Sequence, residues 1–150
     1  MRKRIITLTV ISLLLPTVLA EPVAAHHTKL ETSRKKYKAI LPDAYYDGLA
    51  KCETGGDWNH GTLNYTGGLG IARGTAWRWS GHRNIAKFDA RKQVEIADRI
   101  AFRGWDNPKT GTHKWRVGPW GWGCLKMKPH LQRYICASNH PKVQQWKRGC

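Results

Sequence analysis

Acidic residues are scarce in this chain of 150 residues: ten Asp and Glu stand against twenty-six Lys and Arg, for a formal net charge of +16. The deficit points to an anionic partner, whether nucleic acid, a membrane surface or an acidic polymer. It also leaves few carboxylates to choose from when catalytic groups are sought. No C-x-x-C pair occurs, and Cys136 with His140 is too little for a zinc site, so neither a metal nor another cofactor is expected. No uninterrupted apolar run approaches the roughly 20 residues a membrane span needs. No internal repeat is present, which excludes a stacked-repeat architecture.

The N-terminus carries the first positive signal. Arg2-Lys3-Arg4 is a basic start, residues 5–15 are apolar, and Pro16 interrupts the run. Small residues follow, with Val18-Leu19-Ala20 and Val23-Ala24-Ala25 both acceptable before a cleavage point. This predicts a secretory signal peptide over residues 1–25, a secreted and cell-wall-associated product, and no stable membrane span after cleavage. Removing residues 1–20 still leaves a charge of +13. Export makes disulfides the default for Cys52, Cys124, Cys136 and Cys150, with three pairings open.

Residues 26–41 read as a basic linker, with Arg34-Lys35-Lys36 and no apolar periodicity. The folded unit is expected over residues 42–124. Asp43 is placed to cap a helix from about Ala44 to Glu53, ended by Gly55-Gly56. Residues 57–74 are glycine-rich and predict loops with a short hairpin. A short helix is expected from about Thr75 to Trp79. A longer one runs from Asp89, its cap, to Arg103, with Val94, Ala97, Ile100, Ala101 and Trp105 as one apolar stripe. Residues 106–118 are polar and loop-like. Residues 125–150 form a basic, cysteine-containing tail. The fold class is mainly α, with α+β possible: a small domain, too small to be very stable on its core alone and helped by disulfides.

The segment Cys52-Glu53-Thr54-Gly55-Gly56-Asp57-Trp58 stands out. It sets one carboxylate at a helix C-terminus, beside a glycine-opened turn and an aromatic ring. Acid-catalysed cleavage of a sugar polymer needs a protonated donor at the leaving oxygen. The negative helix end and a nearby Trp58 both favour the protonated form. Among candidates for a second carboxylate, Asp89 is better read as a helix cap and Asp47 lies on another face, which leaves Asp57. Seven of the eight Trp fall between Trp58 and Trp122. Trp58, Tyr65 and Trp77 are nearest in sequence to the expected cleft, where flat rings stack on sugars. Trp120 and Trp122 read as packing beside Cys124, and His60 and His82 as surface histidines.

From Tyr45-Tyr46-Asp47-Gly48-Leu49-Ala50-Lys51 through Cys52-Glu53-Thr54-Gly55-Gly56-Asp57-Trp58, the chain resembles the resuscitation-promoting factors, transglycosylase-like domains of secreted actinobacterial proteins. The resemblance continues through Tyr65-Thr66-Gly67-Gly68-Leu69, Arg73-Gly74-Thr75, Ala90-Arg91-Lys92-Gln93-Val94-Glu95-Ile96-Ala97, Arg103-Gly104-Trp105 and the Gly-Trp-Gly before Cys124. It covers about residues 43–124. It implies a lysozyme-like fold that cleaves the glycan strands of peptidoglycan, with Glu53 as catalytic acid; Trp58, Tyr65, Thr75 and Trp77 are the residues expected to contact substrate. It implies a Cys52–Cys124 disulfide and leaves Cys136 and Cys150 to each other. The chain departs from the family at Gly70, where a Gln is common, at Ala76, which separates Thr75 from Trp77, and at residues 106–117, which look inserted.

The expected activity is therefore cleavage of the β-1,4 bond between N-acetylmuramic acid and N-acetylglucosamine, by lytic transglycosylation or hydrolysis. Expected partners are peptidoglycan strands and anionic cell-wall polymers, bound by a monomer, with no specific nucleic acid. The competing expectation is a cationic cell-wall-binding protein with weak or no turnover, favoured by the departures at Gly70 and Ala76.

Overall fold

The computed structural model describes residues 37–107, 110–114, 116–147 and 150. The signal peptide and most of the linker expected at the N-terminus lie outside the described residues. The domain is small and mainly helical. Helix α1 spans Asp43–Thr54, β1 Tyr65–Thr66, β2 Ile71–Ala72, α2 Arg73–Ser80 and α3 Ala90–Asp98, which widens into a π-helical turn over Arg99–Arg103. Then come β3 Trp105–Asp106, β4 His113–Lys114, a 3-10 turn Pro119–Gly121, α4 Gly123–Met127, α5 Pro129–Ala137 and a last 3-10 turn Gln144–Trp146. Two antiparallel hairpins pair Tyr65 with Ala72 and Trp105 with Lys114. Among the described residues no helix is long and apolar enough to cross a membrane.

Helix α1 forms because Tyr45, Tyr46, Leu49 and Ala50 recur at helical spacing and bury one face. It ends at Gly55, which takes a left-handed conformation (φ 69°). Asp43 is not its cap. Pro42 holds that position, and Asp43 instead pairs with Arg91 of α3 at 2.9 Å. Asp89 does cap α3, accepting from the Lys92 amide at 2.9 Å. Trp105 leaves the helical stripe for β3, where it is half-buried with the Arg99 guanidinium 5.1 Å above its ring. The polar stretch from residue 106 is thus a hairpin rather than a plain loop.

Two segments read as flanks pack into the core. Ile40 and Leu41, at the end of the expected linker, are buried. So are Leu125, Leu131, Ile135 and Val143 from the expected tail, all in one cluster with Tyr45, Leu49 and Val94. Hydrophobic burial recruits them, because their apolar side chains have no better place than the open side of α1. Gly48 permits the contact: a Cβ there would lie 2.6 Å from Leu131 Cδ2. Disulfides join Cys52 to Cys124 and Cys136 to Cys150.

The end of α3 carries a sealed polar hub. Asp98, fully buried, accepts from the Tyr37 hydroxyl at 2.8 Å, the Ile40 amide at 2.9 Å and the Tyr46 hydroxyl. Burial pushes its carboxyl up to about 6, against the pull of these donors and of Arg103. Burial and the Asp98 charge push the Tyr46 phenol well above its ordinary value, so it remains a donor. The hub fastens residues 37–41 to the domain.

Candidate active site

Glu53 sits in the last turn of α1, and its neighbour Cys52 is tied to Cys124 at the start of α4. That bond brings the first turn of α4 against the end of α1. The Cys124 backbone amide donates to Glu53 Oε1 at 3.0 Å, which orients the carboxylate. On its other side lies Gly70, where a Cβ would come 3.6 Å from Glu53 Oε2. The carboxylate is partly exposed and opens into a cleft of about 550 Å³. A cleft of this size suits a small ligand or a short stretch of polymer.

The turn facing Glu53 is clamped from three directions. Thr54 Oγ1 donates to the Gly68 carbonyl at 2.7 Å. Trp122 Nε1 donates to the Leu69 carbonyl at 2.8 Å. Gln93, wholly buried, accepts from the Gly68 amide at 2.8 Å and donates to the Trp58 and Phe88 carbonyls, both at 2.8 Å. A buried amide with its donors and acceptor all engaged holds its loops rigidly. The paired glycines are required by proximity. A Cβ at Gly67 would fall 2.5 Å from Gln93 Oε1, and one at Gly68 would fall 2.7 Å from the Trp58 ring.

The expected site residues separate into two groups. Glu53, Tyr65 and Thr75 line the cleft together, and Tyr65 is half exposed. Trp58 does not line it. Its ring is buried beneath Gly68, because the indole fills the space under the turn and has become core. Trp77 lies on α2 outside the cleft lining, with Arg83 5.9 Å from its ring. Asp57 is exposed and also outside it. Its carboxylate accepts from the Asn59 amide at 2.9 Å, which makes it a turn residue. Glu53 is the one carboxylate among the described residues lining the cleft. The described residues hold no cluster of three or more His, Cys, Asp or Glu suited to a metal.

Sequence reasoning missed several lining groups. His60, read as a surface histidine, faces the cleft. Ile100, from the apolar stripe of α3, and Val117, from the stretch that looked inserted, form an apolar wall, and Trp122 contributes to it. Ile100 and Val117 are joined by a backbone bond of 2.8 Å from the Val117 amide. Gln93 had one legible signal: it shares a helical face with Ala97 and Ile100, so a polar side chain there points inward.

Two curated proteins are similar to this chain. One is the resuscitation-promoting factor Rpf1 of Corynebacterium glutamicum, 37% identical over 73 residues, which are 45% of this chain and 37% of that protein. The other is the resuscitation-promoting factor RpfE of Mycobacterium tuberculosis, 38% identical over 65 residues, 40% of this chain and 37% of that protein. The chain spans little more than a third of the length of the curated relatives it matches. No family model matches it, and no solved structure does.

Proposed function

We propose that this chain is a secreted peptidoglycan-cleaving enzyme of the resuscitation-promoting-factor type, and that residues 42–124, in a reduced lysozyme-like arrangement, carry the chemistry. The observation that carries the reading is the setting of Glu53: a single carboxylate, oriented by the Cys124 amide, at the edge of a cleft about 550 Å³ in volume. The similarity to two resuscitation-promoting factors supports it.

In the proposed reaction the protonated Glu53 gives its proton to the bridging oxygen of the β-1,4 bond. The C1–O bond breaks as oxocarbenium character builds at the N-acetylmuramic acid ring. Retaining and inverting glycosidases pair two carboxylates, and Asp57 is turned to its own loop. The substrate's own groups therefore complete the step. The 6-hydroxyl attacks C1 and returns its proton to the Glu53 carboxylate, leaving a 1,6-anhydro end and a regenerated acid. Attack by water instead gives a reducing end. Tyr65 and Thr75 line the cleft where they can contact sugar. Gly70 supports the weaker alternative, a wall-binding protein of low turnover, because it leaves Glu53 Oε2 without a side-chain neighbour from that position.

Purified protein and Glu53→Gln, incubated with isolated peptidoglycan and read by mass spectrometry of released muropeptides, test this. Anhydro-ended fragments from the wild type alone are expected. Equal, negligible release from both would leave only the binding protein.

A further inference from the structure

The lining of the cleft is secured in two ways. Glu53, Thr54 and Gly70 are held by α1, the Cys52–Cys124 disulfide and the buried Gln93. Val117 and Gly118 line the same cleft from an irregular segment, and Val117 is more than half exposed. One support of that segment is the π-helical turn. The last carbonyls of a helix find no partner within it. Those of Ile100 and Ala101 accept from the Val117 amide at 2.8 Å and the Gly118 amide at 3.1 Å. Two backbone bonds at the rim of an open cleft do not fix a segment by themselves, because such bonds open readily. The second support comes from beyond residue 124, outside the stretch that resembles the resuscitation-promoting factors. The six-membered ring of Trp146 lies against Gly118: an added Cβ would fall 2.5 Å from Cζ3, 2.8 Å from Cη2 and 2.9 Å from Cε3. Gly118 has a φ of 88°, which favours glycine, and the ring takes the room a side chain would need. Beside it, Arg116 donates to the Gln145 side chain at 3.1 Å. Trp146 is itself held. Its amide donates to the carbonyl of the wholly buried Val143 at 2.8 Å, and the Cys136–Cys150 disulfide closes the segment onto α5. The buried indole nitrogen finds no acceptor among the described residues, so ring packing fixes this side chain.

We propose that Trp146 is a positioning residue for this cleft: its ring, carried on the disulfide-closed C-terminal segment, holds Val117 and Gly118 where they meet the glycan strand. A close-packed ring passes a displacement on rather than absorbing it. Removing the ring leaves a void behind Gly118 and lets the segment shift toward it. Glu53 and the amide that orients it are untouched by that shift, since they are fastened by Cys52–Cys124. The expected signature is weaker substrate binding with an intact chemical step. The consequence for substrate rests on the enzymatic reading, and the bracing of the segment does not.

Two readouts on the full oxidised chain test this separately. The first is amide hydrogen exchange followed by NMR, which needs no substrate. Trp146→Ala is expected to speed exchange at Val117 and Gly118 by about tenfold. The Gly68 and Cys124 amides, on the Glu53 side, should exchange as in the wild type. Trp146→Phe should restore most of the protection, because a phenyl ring fills much of the same space and buries no unpaired N–H. Tyr134→Ala is the control. Tyr134 is a half-buried aromatic of the same C-terminal part, but it packs edge-on against Tyr45, 6.3 Å between ring centres, and does not line the cleft. It should destabilise the fold without changing exchange at Val117 or Gly118. Unchanged exchange in Trp146→Ala, or an equal rise in Tyr134→Ala, would overturn the proposal. The second readout is steady-state release from soluble peptidoglycan fragments. Trp146→Ala should raise KM about tenfold with kcat within about twofold of wild type, and Tyr134→Ala should change neither. A fall in kcat at unchanged KM would also overturn it. If the wild type releases nothing, the enzymatic reading fails, and the exchange rates still decide whether Trp146 braces the segment.

Discussion

Glu53 and Asp98 are both carboxylates on helices, Glu53 in the last turn of α1 and Asp98 where α3 passes into its π-helical turn, yet their surroundings differ completely. Asp98 is sealed from solvent and saturated, with two phenols and an amide donating to it. Glu53 receives one amide, from Cys124, and keeps its remaining capacity facing a cleft. A place on a helix does not by itself decide what a carboxylate does. The number of donors spent on it does: a saturated carboxylate holds the fold together, and an unsaturated one remains available to a ligand. The first arrangement fits a stability role and the second the chemical role proposed for Glu53, and substitutions should separate them.

The largest effect is expected at Glu53. Removing a general acid costs about 10²–10⁴-fold in rate, so Glu53→Gln should abolish measurable muropeptide release while its melting temperature stays near wild type. A large loss of stability would mean that Glu53 resembles Asp98 after all. Next is the double change Cys52→Ser/Cys124→Ser. It opens a sequence separation of 72 residues, for which the chain-entropy cost is about 4 kcal/mol. It also frees the amide that orients Glu53, so activity should fall at temperatures where circular dichroism still reports a folded protein.

Asp98→Ala should cost about 3 kcal/mol in urea denaturation, because the two hydroxyls and the Ile40 amide lose their acceptor. The Asp98 carboxyl also gives stability a pH dependence of definite sign. It is raised from 3.8 to about 6 by burial, so between these values the folded state binds more protons than the unfolded one. The Asp98 contribution to stability is then fully present below about pH 4 and is lost as the pH rises through about 6, by an amount on the order of 3 kcal/mol. Denaturation midpoints across pH 4 to 7 would measure the fall, and Asp98→Asn should flatten it. A slope unchanged in that variant would assign it to other groups. The smallest effect is expected at Gly70→Ala. Its φ of 59° and the Glu53 Cβ 3.4 Å from the added methyl predict a cost of about 1 kcal/mol in stability. The same change should lower release only several-fold, since it crowds the acid without removing it.

Much of the architecture was legible in the residues. The apolar spacing of Tyr45, Tyr46 and Leu49 and of Val94 and Ala97 marked α1 and the body of α3, and Asp89 marked the start of the latter. Glu53 was legible from its neighbours. The aromatic lining was not. Trp58 and Trp122 both lie in glycine-rich stretches, but one fills the space under a turn and the other lines the cleft. An indole that can bury its area will do so wherever a void of its size exists, and voids belong to the assembled fold. Val117 and His60 were missed for the same reason: both come from irregular segments whose facing is decided by distant partners.

The sequence by itself determined the local elements, the cationic balance and the one acidic residue set among glycines, because helix periodicity and turn chemistry act over a few residues. Only the tertiary structure decided that Glu53 opens into a cleft while Asp98 is enclosed, that Gln93 holds the facing turn, and that Leu125, Leu131, Ile135 and Val143 join the core. Those outcomes depend on contacts between residues 25 to 71 positions apart. They form only when enough apolar surface is buried together to offset the entropy of ordering the chain.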